Sequence, residues 1–216
     1  MIKRLVALAM TAAIAVGIVL SGQSTSASAE PFKLNGDPKI AWIYFSEVND
    51  GGWTQAIDEA RQRMESDLGL EITWVEKIPE VASQVTNAAD RLIRRGHNII
   101  IGGAFGHSDA FKTLSEKYLD VAFLNPAGTT NGDNLNGFYG RTYESQYLCG
   151  IAAGGLTKSN KIGFVAANPF GLVNWTVNAY LLGARQVNPD VTLHVVYTGS
   201  WNDPIKERAA AQALVE

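Results

Sequence analysis

The sequence predicts an α/β fold made of two doubly wound units, because strand and helix patterns alternate along the chain from residue 39 onward. The run "NIIIGG" at residues 98–103 is apolar at consecutive positions, which is typical of a parallel strand covered on both faces. The intervening stretches carry apolar residues at helical spacing. Parallel strands joined by helices form sheets with helices on their faces.

The first unit, residues 30–143, is predicted to contain four strands and three helices, ending in a loop. The predicted strands are residues 39–45, 71–76, 98–103 and 121–125. The predicted helices are residues 53–68, 81–95 and 108–118. Residues 126–137, "PAGTTNGDNLNG", are rich in turn-forming residues and are predicted to be a loop.

Two expectations concern packing in this unit. In the helix at residues 53–68, apolar residues spaced four apart are expected to form the buried face. They are Ala56, Ala60, Met64 and Leu68. Three aromatic residues inside predicted strands are expected to pack in the core: Trp42, Trp74 and Phe123.

The second unit, residues 144–216, continues the alternation. The predicted helices are residues 144–157, 172–188 and 205–215, and the predicted strands are residues 161–167 and 192–198. Asp203 and Pro204 are expected to cap the last helix. Because the chain ends within that helix and this unit has only two strands, against about five or six in a mean sheet, we expect a truncated second lobe.

The N-terminus has the pattern of a signal peptide over residues 1–29. Lys3 and Arg4 precede a long apolar run, and small residues lead to a predicted cleavage site near Ala29. A membrane anchor is the alternative interpretation. Cleavage predicts a periplasmic or extracellular protein.

Composition and motifs argue against two classes of function. The net charge of −3, with no clustered Lys or Arg, argues against nucleic-acid binding. The sequence has no nucleophile–base pair at a recognisable spacing, no metal-binding motif and no phosphate loop. We therefore expect no enzyme activity, no metal and no cofactor. An enzyme on a Rossmann-like scaffold is the alternative, and it would need one of these features.

Aromatic residues follow the predicted strands at the edge where α/β sheets bind ligands. They are Trp53, Phe105, Phe170 and Trp201. Flat rings on facing walls suit a planar ligand held by stacking, although burial under a neighbouring loop is the alternative for each. Asp50 and Glu144 lie near these positions as candidate polar contacts, with helix capping and first-turn stabilisation as their structural alternatives.

Several segments together resemble the basic membrane protein (BMP) family of substrate-binding proteins for ABC importers. They are "NDGGWTQAIDEAR", "GGAFGHSDAF", "GRTYESQYLCGIAAG", "NKIGFVAANPF", "NAYLLGARQVNPD" and "SWNDPIKE". The resemblance implies a type I periplasmic binding protein with its ligand between two lobes. It also implies a purine ligand and a membrane permease as partner.

The resemblance implies ligand contacts from five residues of this chain. They are Trp53, Phe105, Gly106, Glu144 and Trp201. The Gly-Trp at residues 52–53 is similar to the group of the family that favours a purine base, such as adenine, over a nucleoside. The alternatives are a purine nucleoside, or a sugar or autoinducer on the same fold.

Overall fold

The computed structural model describes residues 32–216, so the predicted signal peptide lies outside the described residues. The strands are β1 Ile40–Ile43, β2 Thr73–Val75, β3 Ile99–Ile101, β4 Ala122–Pro126, β5 Leu135–Phe138, β6 Lys161–Ala166 and β7 Thr192–Tyr197. The helices are α1 Trp53–Leu68, α2 Ala82–Arg94, α3 Ser108–Lys117, α4 Thr142–Leu156, α5 Gly171–Val187 and α6 Pro204–Val215. A single 3₁₀ turn, Phe105–His107, precedes α3.

The first sheet has five parallel strands in the order β2-β1-β3-β4-β5. Successive residues of a strand point to opposite faces, and β1 uses both faces for burial. Ala41 and Ile43 pack into the cluster formed with α2 and α3. Ile40 and Trp42 pack into the cluster that includes residues of α1. Helices therefore cover both faces, and the doubly wound prediction is confirmed for this sheet.

The second sheet pairs β6 and β7 in parallel over six residues each. Ile162 and Val191 share a buried cluster with Ala184 of α5. Gly163 faces Leu214 of α6. Asp203 caps α6, since its carboxylate accepts a hydrogen bond from the Lys206 backbone N–H at 3.0 Å.

Helices α4 and α5 cross so closely that glycine is required where they meet. A Cβ atom at Gly150 would overlap the carbonyl oxygen of Tyr180, and one at Gly183 would overlap that of Tyr147. Glycine has no Cβ, so the two backbones can touch. This crossing lies against one face of the two-stranded sheet.

The prediction of a loop over residues 126–137 is wrong at its C-terminal end, because Leu135–Phe138 forms the edge strand β5. Asn134 donates hydrogen bonds to the carbonyl oxygens of Tyr118 and Val121, each at 2.8 Å. These contacts hold the start of β5 beside β4. The local composition favours a turn, but these tertiary hydrogen bonds stabilise a strand instead.

The predicted buried face of α1 is correct in part: Met64 packs against the core cluster of the sheet, whereas Ala56 and Leu68 are exposed. Residues spaced four apart drift around a helix of 3.6 residues per turn. Beside Ile57 and Met64, the face that packs on the sheet also carries a polar network in which Asp58 accepts hydrogen bonds from Tyr44 Oη and Arg61 Nε.

Among the three strand aromatics, the core prediction is correct for Trp42 and Phe123 and wrong for Trp74, which is 39% exposed. Trp74 lies on the edge strand β2, where the guanidinium of Arg61 covers its ring at 5.7 Å from the centroid.

Residues 33–216 form one compact unit that contains both sheets. The lobe boundary between residues 143 and 144 stays a prediction. Among the described residues, no helix has both the length and the apolar character needed to cross a membrane.

Candidate ligand-binding site

A cleft lies at the carboxyl ends of the strands and draws residues from both sheets. Its lining consists of Phe45, Trp53, Glu80, Ala104, Phe105, Ala127, Tyr139, Leu172 and Trp201. Its cavity volume is about 80 Å³, and it opens to solvent. Small-molecule pockets usually have volumes of about 300–1,000 Å³, so the cleft in this structure is narrower than a typical small-molecule pocket.

Trp53 forms one wall of the cleft at the first residue of α1. Its indole N–H donates a hydrogen bond to the Gly103 carbonyl oxygen at 2.8 Å. Its ring stacks on Tyr139 with the centroids 6.0 Å apart and the planes 28° apart. Although Trp53 is 36% exposed, these two contacts fix the orientation of its ring.

A cluster of three rings joins loops of both sheets; Phe105 and Trp201 line the other side of the cleft, and Phe170 packs against both without lining it. Phe105 stacks on Phe170, with the centroids 5.1 Å apart and the planes 18° apart. Trp201 lies 6.4 Å from Phe105 and 5.8 Å from Phe170 between ring centroids. The structure therefore brings together the loop aromatics that the sequence singled out.

Asp50 shapes the turn before Trp53 and does not line the cleft. Its carboxylate accepts hydrogen bonds from the backbone N–H groups of Gly52, Thr54 and Gln55. Burial raises the pKa of Asp50, but the hydrogen bonds outweigh burial and hold this pKa below its ordinary value. The ionised carboxylate caps α1 and so holds Trp53 at the helix start.

Gly106 lies in the 3₁₀ turn after Phe105, and its backbone N–H donates to Glu80 Oε1 at 2.6 Å. A Cβ atom at residue 106 would lie 2.7 Å from the Glu80 Cβ atom, closer than non-bonded carbons allow. Gly106 therefore permits the approach of Glu80, which itself lines the cleft.

The buried side chain of His107 forms a hydrogen bond with the loop that precedes this turn. The Gly103 backbone N–H donates to His107 Nδ1 at 3.3 Å, so this nitrogen is the acceptor of a neutral imidazole. Burial lowers the pKa of His107 to about 4. The carbonyl oxygen of the same residue, Gly103, accepts the Trp53 indole N–H, so His107 helps to position the residue that orients this wall.

Glu144 lies in the first turn of α4, outside the cleft lining. Its exposed carboxylate pairs with Arg141 Nη1 at 2.9 Å. Its predicted contact with a ligand stays a prediction. Among the six residues singled out in the sequence, Trp53, Phe105 and Trp201 line the cleft, and Asp50 and Gly106 support it.

Residues 38–216 match the Bmp family of ABC transporter substrate-binding proteins, described as PnrA-like. The chain belongs to the Bmp family. This confirms the resemblance, and the family is one of transport proteins that bind a solute.

Two relatives of this chain are named for different ligands. A putative ABC transporter glucose-binding protein of Haloferax volcanii is 37% identical over 177 residues, covering 82% of this chain and 45% of the relative. A purine-binding protein of Brucella abortus is 34% identical over 180 residues, covering 82% of this chain and 51% of the relative. The chain thus spans about half the length of these relatives.

The solved structure of an ABC transporter solute-binding protein from Aeropyrum pernix has the same fold, with a TM-score of 0.72 and 19% identity. The likeness covers 83% of this chain and 52% of that one. Together with the family match, it confirms the predicted type I periplasmic binding protein fold.

Sequence reasoning named three of the nine lining residues, and those that it missed include Phe45, Glu80 and Tyr139. Phe45 was assigned to the end of a strand, and it follows β1 in the structure. Tyr139 follows β5, the strand that was predicted to be a loop because of its local composition. Glu80 lies in the loop after β2, which the rule of carboxyl-end loops would have included.

Proposed function

We propose that this protein is an extracytoplasmic substrate-binding protein that binds a purine base, adenine or a close relative, and delivers it to the membrane permease of an ABC importer. The permease and the location outside the cytoplasm follow the role of the Bmp family. The named ligand of the Brucella abortus relative supports a purine.

The observation that carries the proposal is the aromatic lining of the cleft. Trp53 with Tyr139 and Phe105 with Trp201 present ring surfaces around one cleft, from loops of both sheets. Stacking of a base on an aromatic side chain contributes roughly 1–3 kcal/mol. A purine base has two flat apolar faces and suits such walls.

A sugar is the second candidate, because the Haloferax volcanii relative is named as a putative glucose-binding protein. A sugar's hydroxyl groups need several hydrogen-bond partners when buried. The lining offers few polar side-chain groups, namely the Glu80 carboxylate, the Tyr139 hydroxyl and the indole N–H of Trp201, while Gly103 already engages the indole N–H of Trp53. The lining therefore favours the base.

Calorimetric titration of the purified protein with a panel of ligands tests the proposal. The panel contains adenine, guanine, hypoxanthine, adenosine, glucose and ribose. We expect adenine or another purine base to bind at least tenfold more tightly than adenosine or either sugar. Tighter binding of glucose or ribose would overturn the purine assignment.

A further inference from the structure

Glu80 is the one charged side chain among the described residues that line the cleft. It is half-buried beside the aromatic walls. Its carboxylate forms no ion pair with any Lys or Arg of residues 32–216. A half-buried charge of this kind is stabilised when a hydrogen-bond donor reaches it.

The loop that carries Glu80 is held by backbone hydrogen bonds. The Ile78 N–H donates to the Tyr44 carbonyl oxygen at 3.0 Å, and the Lys77 N–H donates to that of Ser46 at 3.3 Å. Pro79 restricts the backbone immediately before Glu80. The chain therefore approaches the cleft in a defined direction.

The side chain of Glu80 is oriented as well. Its Oε1 atom accepts the Gly106 N–H at 2.6 Å. Its second oxygen, Oε2, accepts no hydrogen bond from any residue between 32 and 216. One carboxylate oxygen is thus used to orient the group, and the other has capacity for a ligand.

We infer that Glu80 recognises the edge of the ligand, with Oε2 accepting a hydrogen bond from a ring or amino N–H of a base stacked between the aromatic walls. This inference rests on the proposed function and specifies the ligand further. A carboxylate can only accept hydrogen bonds, so the site selects planar heterocycles that present an N–H donor. Selection by shape and stacking alone would not require this donor.

The variant Glu80→Gln separates recognition from structure. The side-chain oxygen of Gln can still accept the Gly106 N–H, but its amide then presents donors where the carboxylate presented an acceptor. We expect adenine affinity to fall by about ten- to hundredfold, the range for loss of a charge-assisted hydrogen bond. The melting temperature should stay close to that of the parent.

Glu47→Gln is the matched control. Glu47 lies near the same sheet edge, pairs with Lys77 at 2.8 Å and does not line the cleft. This variant should bind adenine as the parent does. If Glu80→Gln also binds adenine as tightly as the parent, Glu80 only caps the 3₁₀ turn and the inference is overturned.

Methylated ligands provide a second test that does not depend on the stability of the variant. One ligand is adenine dimethylated on its exocyclic amine, and the other is adenine methylated on its ring N–H. The cost of Glu80→Gln should disappear for the ligand whose blocked N–H faces Glu80, because coupled partners give non-additive effects. An equal cost for adenine and both methylated ligands would contradict the inference.

The two proposals fail in different ways. If the parent protein binds no purine in the calorimeter, the proposed function is overturned and the inference about Glu80 with it. If the parent binds adenine and Glu80→Gln leaves the affinity unchanged, only the inference is overturned.

Discussion

Trp53→Ala is expected to weaken adenine binding by about fivefold to 140-fold. The substitution removes the ring that lines the cleft and stacks on Tyr139 at 6.0 Å. Loss of one base–aromatic stack costs roughly 1–3 kcal/mol, and each 1.4 kcal/mol corresponds to about tenfold in affinity. Calorimetric titration of adenine into the parent and the variant measures the change directly.

Trp53→Phe separates the two roles of the side chain. The phenyl ring keeps a stacking surface but cannot donate to the Gly103 carbonyl oxygen, which the indole N–H contacts at 2.8 Å. Loss of this neutral hydrogen bond within the protein lowers the free energy of unfolding by about 0.5–1.5 kcal/mol. Affinity falls only by the cost of ordering the released ring, which is at most about twelvefold. The effect should therefore be smaller than that of Trp53→Ala.

Trp175→Ala is the control for loss of an exposed tryptophan. Trp175 lies on α5, is 56% exposed and does not line the cleft. It should leave adenine affinity unchanged. If Trp53→Ala binds adenine as tightly as Trp175→Ala does, stacking on Trp53 contributes nothing and the reasoning is refuted.

Three further predictions concern other parts of the molecule. Glu144→Gln should reduce adenine affinity less than Glu80→Gln, because Arg141 already pairs with the Glu144 carboxylate outside the cleft lining. An equal or larger loss of affinity in titrations would support the ligand contact of Glu144 that the sequence predicts. Gly150→Ala should destabilise the fold in urea unfolding, since its Cβ would overlap the Tyr180 carbonyl oxygen. Gly155→Ala on the same helix meets nothing within 4 Å and should be neutral or stabilising by up to about 1 kcal/mol. Burial lowers the pKa of His107 to about 4, below the ordinary histidine pKa of about 6.5. Between pH 7 and pH 5 the unfolded chain therefore binds more protons than the folded protein. The free energy of unfolding should fall by about 2 kcal/mol over this range. His107→Gln should remove that part of the pH dependence, and an unchanged pH profile would contradict it.

Local patterns in the sequence were sufficient to predict most of the helices and strands. The start and end of α1, Trp53–Leu68, match the predicted residues 53–68. Helix α2 and the buried strand β3 also lie where periodicity and apolar runs predicted them. These signals are local, because hydrophobic spacing and capping residues act within a few turns of chain.

The errors have a common physical cause. Strand β5 has a turn-like composition, and it pairs because Asn134 and the neighbouring strand supply its hydrogen bonds. Polar residues are buried on α1 beside Ile57 and Met64, because Asp58 forms hydrogen bonds with Tyr44 and Arg61. In both places a hydrogen bond to another element of the fold, from Tyr44 to Asp58 and from Asn134 to Tyr118, outweighed the local preference.

The sequence alone determined the family, the doubly wound class and the aromatic character of the cleft, because these depend on residue type and on the edge of the sheet to which each loop belongs. Only the tertiary structure decided which polar group faces that cleft. Glu80 and Gly106 are far apart in the sequence, and they meet because β1, which pairs with both β2 and β3, brings the loops after those strands together. A hydrogen bond requires two groups within about 3 Å, and that proximity is set by packing.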